Sequence, residues 1–230
     1  MKQKIDYFKK NKINLFSQER LKSYSLQEDK KDIEIQLKRH NNNLNLIQRI
    51  TKDLALIEIG LRNILNFYMI EVSNNTDWIE NYRSKTITNY NSIISNIKKR
   101  YPVDKQDILN NNQLLSNLTL GVIIKILKEK NISDQIFNFT NLNLKKYHIK
   151  NRNRKLKNNN KSRLTNKEKT NIMLSLLSDI RNRSFHWESL IKIRENGYPR
   201  LSTNEYNILT SIEADKIEIF LSDILEEIYK

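Results

Sequence analysis

The sequence predicts an all-α protein, one domain over residues 1–230 built as a single bundle of about five to seven helices, with a basic loop insertion at about 145–169. Three observations predict it. Gly occurs three times and Pro twice in 230 residues, too few for the turns that sandwiches, barrels and Gly-rich phosphate loops require. Apolar residues recur at spacings of three and four in several long segments. Polar stretches bearing helix-capping residues separate those segments. The chain is only 38% hydrophobic, but at this length folding still buries roughly 70% of the unfolded surface.

The first strong segment runs from about Leu44 to Val72. Ile47, Ile50, Leu54, Ile57, Leu61, Ile64 and Tyr68 form one helical stripe, and Leu56, Ile59, Leu65 and Phe67 broaden it towards a central, largely buried helix. Glu58 and Arg62 interrupt it, one turn apart. They read either as an exposed i,i+4 ion pair, worth a few tenths of a kcal/mol, or as a partly buried polar link to another element. Asn74–Asp77 breaks the helix, and Asp77 with Glu80 has capping-box spacing for a second helix carrying Trp78, Tyr82, Ile93, Ile94 and Ile97. That helix stops before Pro102.

A polar connector follows to Asn112, then a helical stretch from Leu114 to Lys130. Gly121 inside it implies a close helix crossing or a break at Thr119–Gly121. Thr165 and Glu168 form a capping-box spacing for a helix ending at Gly197-Tyr198-Pro199. Ser202 and Glu205 repeat it for the last helix, with Leu209, Ile212, Ile219, Phe220, Ile224 and Ile228 as core candidates.

Charge separates one region from the rest. The chain has 41 Lys+Arg against 26 Asp+Glu, a net charge of +15. Between Lys145 and Lys169 stand eleven Lys or Arg and one acid, Glu168, so ten of those fifteen units fall within 25 residues. Such a segment buries too little to order itself and reads as a loop, flexible or weakly helical. Charge of this sign favours polyanionic partners, nucleic acid first and an anionic membrane surface second, with Lys145, Lys146, Lys150, Arg152, Arg154, Lys155, Lys157, Lys161 and Arg163 as the candidate nucleic-acid-holding cations. An AT-rich genome would also enrich Lys, Asn and Ile, so part of the charge has a compositional alternative. Tyr147, among Lys145, Lys146 and Lys150, is read either as a base-stacking ring or as an ordinary surface Tyr.

Other function classes find little footing. There is no Cys, hence no disulfide framework, thiolate metal site or Cys nucleophile. His40 and His148 lack an acid or His at ligand spacing, so no metal site is expected. No cofactor is expected, because no nucleotide-binding or Gly-x-Ser-x-Gly motif occurs. The N-terminus lacks a signal-peptide apolar region and no stretch approaches 18 apolar residues. A soluble, cytoplasmic protein without a membrane partner is expected.

The informative segment is Arg181-Asn182-Arg183-Ser184-Phe185-His186. On a helical wheel Met173, Leu177, Ile180, Ser184, Trp187 and Ile191 face the core, Asn182 and His186 point away, and Arg181 and Arg183 flank them. The set suits phosphodiester cleavage in RNA. Imidazole moves protons near neutrality, and guanidinium holds a phosphate bidentately. A solvated surface His is the competing reading. One helix face offers one His and one usable Arg, and a second copy across a two-fold axis would double both.

This segment is similar to the R-N-x-x-x-H form of the Rx4–6H motif of the HEPN ribonuclease superfamily. Leu56-Ile57-Glu58-Ile59-Gly60-Leu61-Arg62-Asn63 and Leu118-Thr119-Leu120-Gly121 resemble two further segments of its Abi-like (abortive infection) branch, in the family's order. The resemblance implies an α-helical bundle acting as a homodimer, with one composite, metal-independent endoribonuclease site. His186 would be the acid/base, Arg181 the phosphate-binding group and Asn182 a positioning residue. Arg183 joins the RNA-binding candidates. It further implies a toxin in phage defence, with RNA as substrate and an RNA or protein antitoxin, such as a small structured RNA, as regulator. HEPN toxins silenced by a nucleotidyltransferase carry a Tyr where this chain has Glu188, so that control is not expected. The alternative is an RNA-binding protein whose motif is architectural.

Overall fold

The computed structural model describes residues 1–10, 12–25, 32–157 and 160–230. It is mainly helical, 63% helix with 7% strand, so the all-α expectation needs two small hairpins added. In chain order the helices are α1 (Lys2–Lys10), α2 (Lys12–Phe16), α3 (Gln18–Lys22), α4 (Ile33–Ser73), α5 (Trp78–Asn81), α6 (Tyr90–Lys98), α7 (Asn111–Asn117), α8 (Leu120–Glu129) and α9 (Ser133–Ile136). The hairpin β1 (Arg154–Lys157) and β2 (Asn160–Arg163) precedes α10 (Asn166–Phe185). The hairpin β3 (Ser202–Glu205) and β4 (Ile208–Ser211) precedes α11 (Ile217–Ile228). Among the described residues no helix is long and apolar enough to cross a membrane.

Helix α4 has 41 residues, about 60 Å at 1.5 Å per residue. It begins well before Leu44, because Asp32 caps it by accepting the Ile35 N–H where no apolar periodicity marks a start. Asn74, left-handed at φ 48°, ends it. Ile47, Ile50, Leu54, Ile57, Leu61 and Leu65 are buried, but Leu56, Ile59 and Phe67 are exposed. The stripe is therefore one-sided, narrower than expected. Helices α8, α10 and α11 pack on it, and their Ile123, Leu127, Ile172, Leu177, Phe220 and Ile224 complete the core.

The helix expected from Trp78 to Tyr101 is broken in two. Glu129 at the end of α8 accepts from the hydroxyls of Ser84 and Thr86 and from the backbone N–H groups of Lys85 and Thr86, which holds 84–87 out of helix. Burial pushes the Glu129 carboxyl up, but these hydrogen bonds outweigh it and hold its pKa at about 2. A carboxyl depressed from 4.5 stabilises the fold above pH 4.5 and loses that contribution as pH falls towards 2. Melting temperatures between pH 5 and 2.5 are expected to fall more steeply for the wild type than for Glu129→Gln. Parallel curves would contradict this.

Gly121 marks a break between helices. Thr119 caps α8, accepting the Val122 N–H, and a Cβ on Gly121 would meet Ser178 Oγ at an ordinary 3.8 Å.

Helix α10 starts at the expected capping box of Thr165 and Glu168 but ends at Phe185, well before Gly197. Glu188 N–H bonds Arg183 O and Trp187 N–H bonds Ser184 O, the paired bonds of a Schellman motif. Its left-handed position is filled by Trp187 at φ 55°. No Gly advertises this ending, and the wheel fails beyond it: Trp187 is 53% exposed.

The stretch expected to open the last helix is instead the β3–β4 hairpin. Its two-residue turn has Tyr206 at φ 56° and Asn207 at φ 59°, the pattern of a type I′ turn. Asn suits that conformation, whereas an aromatic there costs on the order of 1–3 kcal/mol. Leu209 points outwards on β4, and Ile219 is exposed on α11.

Candidate active site and basic cleft

The final turns of α10 carry the candidate catalytic residues. Asn182 and His186 are exposed, and His186 is the helix C-cap. Arg181 and Arg183 are partly buried on the flanks. Arg181 reaches across to α4, where its Nε donates to Glu58 Oε2 at 3.1 Å, and its guanidinium lies 4.8 Å from the Phe185 ring centre. Arg62 donates to the other Glu58 oxygen at 3.1 Å and to the backbone carbonyl of Leu118 at 3.3 Å. Glu58, Arg62 and Arg181 are each only 15–21% exposed. Of the two readings of Glu58 and Arg62, the geometry is the partly buried link. It joins α4, the α7–α8 turn and α10, so the three segments that carry the family resemblance are linked through Glu58 and Arg62.

Because Glu58 takes the Nε of Arg181, no described residue occupies its two terminal amines, and these are the pair that grips a phosphate bidentately. Arg181 and His186 share no hydrogen bond. The expectation for Glu58→Ala is a loss of about 1–3 kcal/mol, since two partly buried guanidiniums lose their shared acid. Glu58→Gln, which keeps an acceptor, should lose less. Urea unfolding measures both, and unchanged midpoints would contradict the link.

Arg183 is committed elsewhere: Glu188 pairs with it at 2.6 Å and with Arg200 at 2.9 Å. On the other flank Asp179 and Asn182 line a cavity of about 460 Å³ with Thr119, Lys125, Lys128 and Thr203. Burial raises the Asp179 carboxyl pKa, opposed by Arg183 and Arg194.

Over its described residues the basic segment is a short 3-10 turn, irregular turns and the β1–β2 hairpin, and part of it packs on the core; residues 158 and 159 lie outside the described residues. Tyr147 is fully buried, and its hydroxyl donates to Asp223 at 2.5 Å, so it is neither a base-stacking ring nor a surface Tyr. Burial and the neighbouring Asp223 push its hydroxyl pKa upwards. Asn151 is buried, donates to Leu144 O and Ser211 O, and accepts the Ser211 N–H. Lys169 is buried too, its amine donating to Thr140 O and Leu142 O, with its pKa lowered by burial and then by Arg163. A buried Tyr, a buried Lys and asparagines that satisfy turn backbone thus tie both ends of this segment to the core.

The candidate RNA-holding cations divide. Lys146 pairs with Asp223, Lys155 pairs with Glu168, and Lys150 lies over the Tyr198 ring. The side chains of Lys157 and Lys161 lie outside the described residues. Lys145, Arg152, Arg154 and Arg163 are exposed and pair with no acid among the described residues. Lys145, Arg152 and Arg154 line an open cleft of about 850 Å³ with Lys155, Tyr206 and Asn207. Nothing in the sequence singled out Tyr206 or Asn151.

His40 is buried, its ring 4.9 Å from Phe16 and 5.2 Å from Tyr24. Burial lowers its pKa, with Arg20 adding to the effect. His148 Nε2 lies 3.8 Å from Glu213 Oε1, a neighbour that spacing along the chain does not reveal. Among the described residues no three His, Asp or Glu converge as metal ligands. Comparisons with protein-family models, curated proteins and solved structures each found no match.

Proposed function

From that site we propose that the chain is a metal-independent endoribonuclease of the HEPN superfamily's Abi-like kind, a toxin acting in the cytoplasm in phage defence, with its site completed by a second copy. The observation that carries the reading is the Glu58–Arg62 junction, which links the three resembling segments while Arg181 keeps two amines open. His186, exposed at the end of α10, serves as acid/base, and Asn182 positions the phosphate. Phe185 and Trp187 on either side of His186, with Leu56 and Ile59 on α4, are exposed apolar side chains that a two-fold partner would cover.

The chemistry balances without a cofactor. One imidazole takes the proton of the 2′-hydroxyl as its oxygen attacks phosphorus, and the bond to the 5′-oxygen breaks. The partner's imidazole protonates that leaving oxygen, and the two arginines stabilise the charge on the phosphate. The products are a 2′,3′-cyclic phosphate and a 5′-hydroxyl end. Incubation with total RNA in EDTA should give such ends, and sedimentation at micromolar concentration should show a dimer. Absence of cleavage would remove the enzyme reading, and a monomer would remove the composite site.

The second reading, an RNA-binding protein with an inactive motif, is favoured by Lys145, Arg152, Arg154 and Arg163, exposed cations that no described acid neutralises.

A further inference from the structure

The cations left unpaired in the basic segment are arranged, not scattered. Arg154 and Arg163 stand directly opposite each other across the β1–β2 ribbon, where two like charges repel and no described acid relieves them. Arg154 lines two neighbouring cavities, one shared with Lys145 and Arg152 and the other with Arg163 and Lys169. Arg154 lines both cavities, and so connects Arg152, just before the hairpin, with Arg163 across it.

Tyr206 stands at the edge of the first cavity. The residue is 40% exposed, and its hydroxyl accepts a 2.6 Å bond from Asn171 on α10. Asn171 in turn accepts from Ser133. The ring is held in place, in a left-handed backbone conformation that Gly or Asn would fill without strain. A bulky residue kept at such a position is a candidate for function. Asn171 and the motif's Asn182 lie on the same helix, about 16 Å apart along its axis, and β3 connects the two regions through Thr203 and Glu205.

We propose that this cleft binds single-stranded RNA, with Arg152, Arg154 and Arg163 on successive phosphates and Tyr206 stacked on an unpaired base. A ring at the cleft edge suits a splayed base and has no use for a duplex, whose bases are already stacked. Choosing RNA over DNA rests on the ribonuclease reading; the cleft and its preference for a single strand do not.

The test is binding of a fluorescent 12-nucleotide 2′-O-methyl RNA, which lacks the attacking hydroxyl, to the full chain over a salt series. Each phosphate neutralised on a single strand contributes about 0.7 to the slope of log affinity against log salt. Replacing Arg152, Arg154 and Arg163 together by Ala should therefore reduce the slope by about 2, and replacing all three by Lys should preserve it. The paired cations serve as controls: Lys146→Ala with Lys150→Ala should leave the slope unchanged. Tyr206→Ala should weaken binding about tenfold at constant slope, whereas Tyr206→Phe, which keeps the ring, should bind nearly as well as wild type.

An unchanged slope in the triple Ala variant would overturn the phosphate track. Equal affinity for a duplex of the same length, or wild-type affinity in Tyr206→Ala, would overturn the stacking. Because the strand is not cut, binding and catalysis fail separately. Cleavage of total RNA with no salt-dependent binding here would reject the cleft and spare the nuclease, and the reverse result would reject the nuclease and spare the cleft.

Discussion

Asn151→Ala is expected to destabilise the protein by roughly 3 kcal/mol or more. The side chain is 1% exposed and makes three hydrogen bonds, to Leu144 O, Ser211 O and Ser211 N–H, of 2.8–2.9 Å. Alanine would leave the Ser211 carbonyl and N–H without the amide that pairs them, each costing about 1–3 kcal/mol when desolvated, and would leave Leu144 O with the Tyr147 N–H alone. For a chain of this size that corresponds to a melting temperature lower by roughly 6–12 °C. The loss should also loosen the cleft, because Asn151 ties the 144–153 turns to β4. Thermal melts followed by circular dichroism measure the effect. A shift below about 2 °C would mean that water replaces the amide, and that Asn151 does not hold the basic segment.

The contrast between Asn151 and Ile57 shows what the sequence makes legible. Ile57 belongs to a periodic apolar stripe, and stripes with capping residues reveal the second half of α4, α8 and the start of α10, because burial and local hydrogen bonding act over a few residues. Asn151 is one of many asparagines, and its partners at Ser211 lie sixty residues away. The same holds for Glu129, whose carboxylate replaces helix over 84–87, and for Asp223, which neutralises Lys146 from α11. Pairing of that kind depends on the fold and leaves no periodic trace. The β3–β4 hairpin and the end of α10 are hidden for another reason. Tyr206-Asn207 is not a usual turn pair, and Trp187 ends α10 where Gly is customary. At the candidate site the wheel gives the exposure of Asn182 and His186 in advance. It says nothing of Arg183 being held by Glu188, or of Arg181 being turned to Glu58 on another helix.

His186→Ala is expected to lower RNA cleavage by about 10²–10⁴-fold, the usual contribution of a positioned general acid or base. Its effect on stability should be within about 0.5 kcal/mol, because the imidazole is exposed and bonds no described residue. That separation makes the variant informative: an inactive protein that melts with the wild type has lost chemistry and not structure. Binding of uncleavable RNA should likewise be retained, since the proposed cleft lies about 16 Å along α10 from the motif.

The most direct measurement is therefore a side-by-side incubation of purified wild type and His186→Ala with total RNA in EDTA. A metal-independent ribonuclease built on the Arg181–His186 motif predicts cleavage by the wild type that EDTA does not suppress and that the variant has lost. Equal cleavage by both proteins, or cleavage by neither, would contradict it.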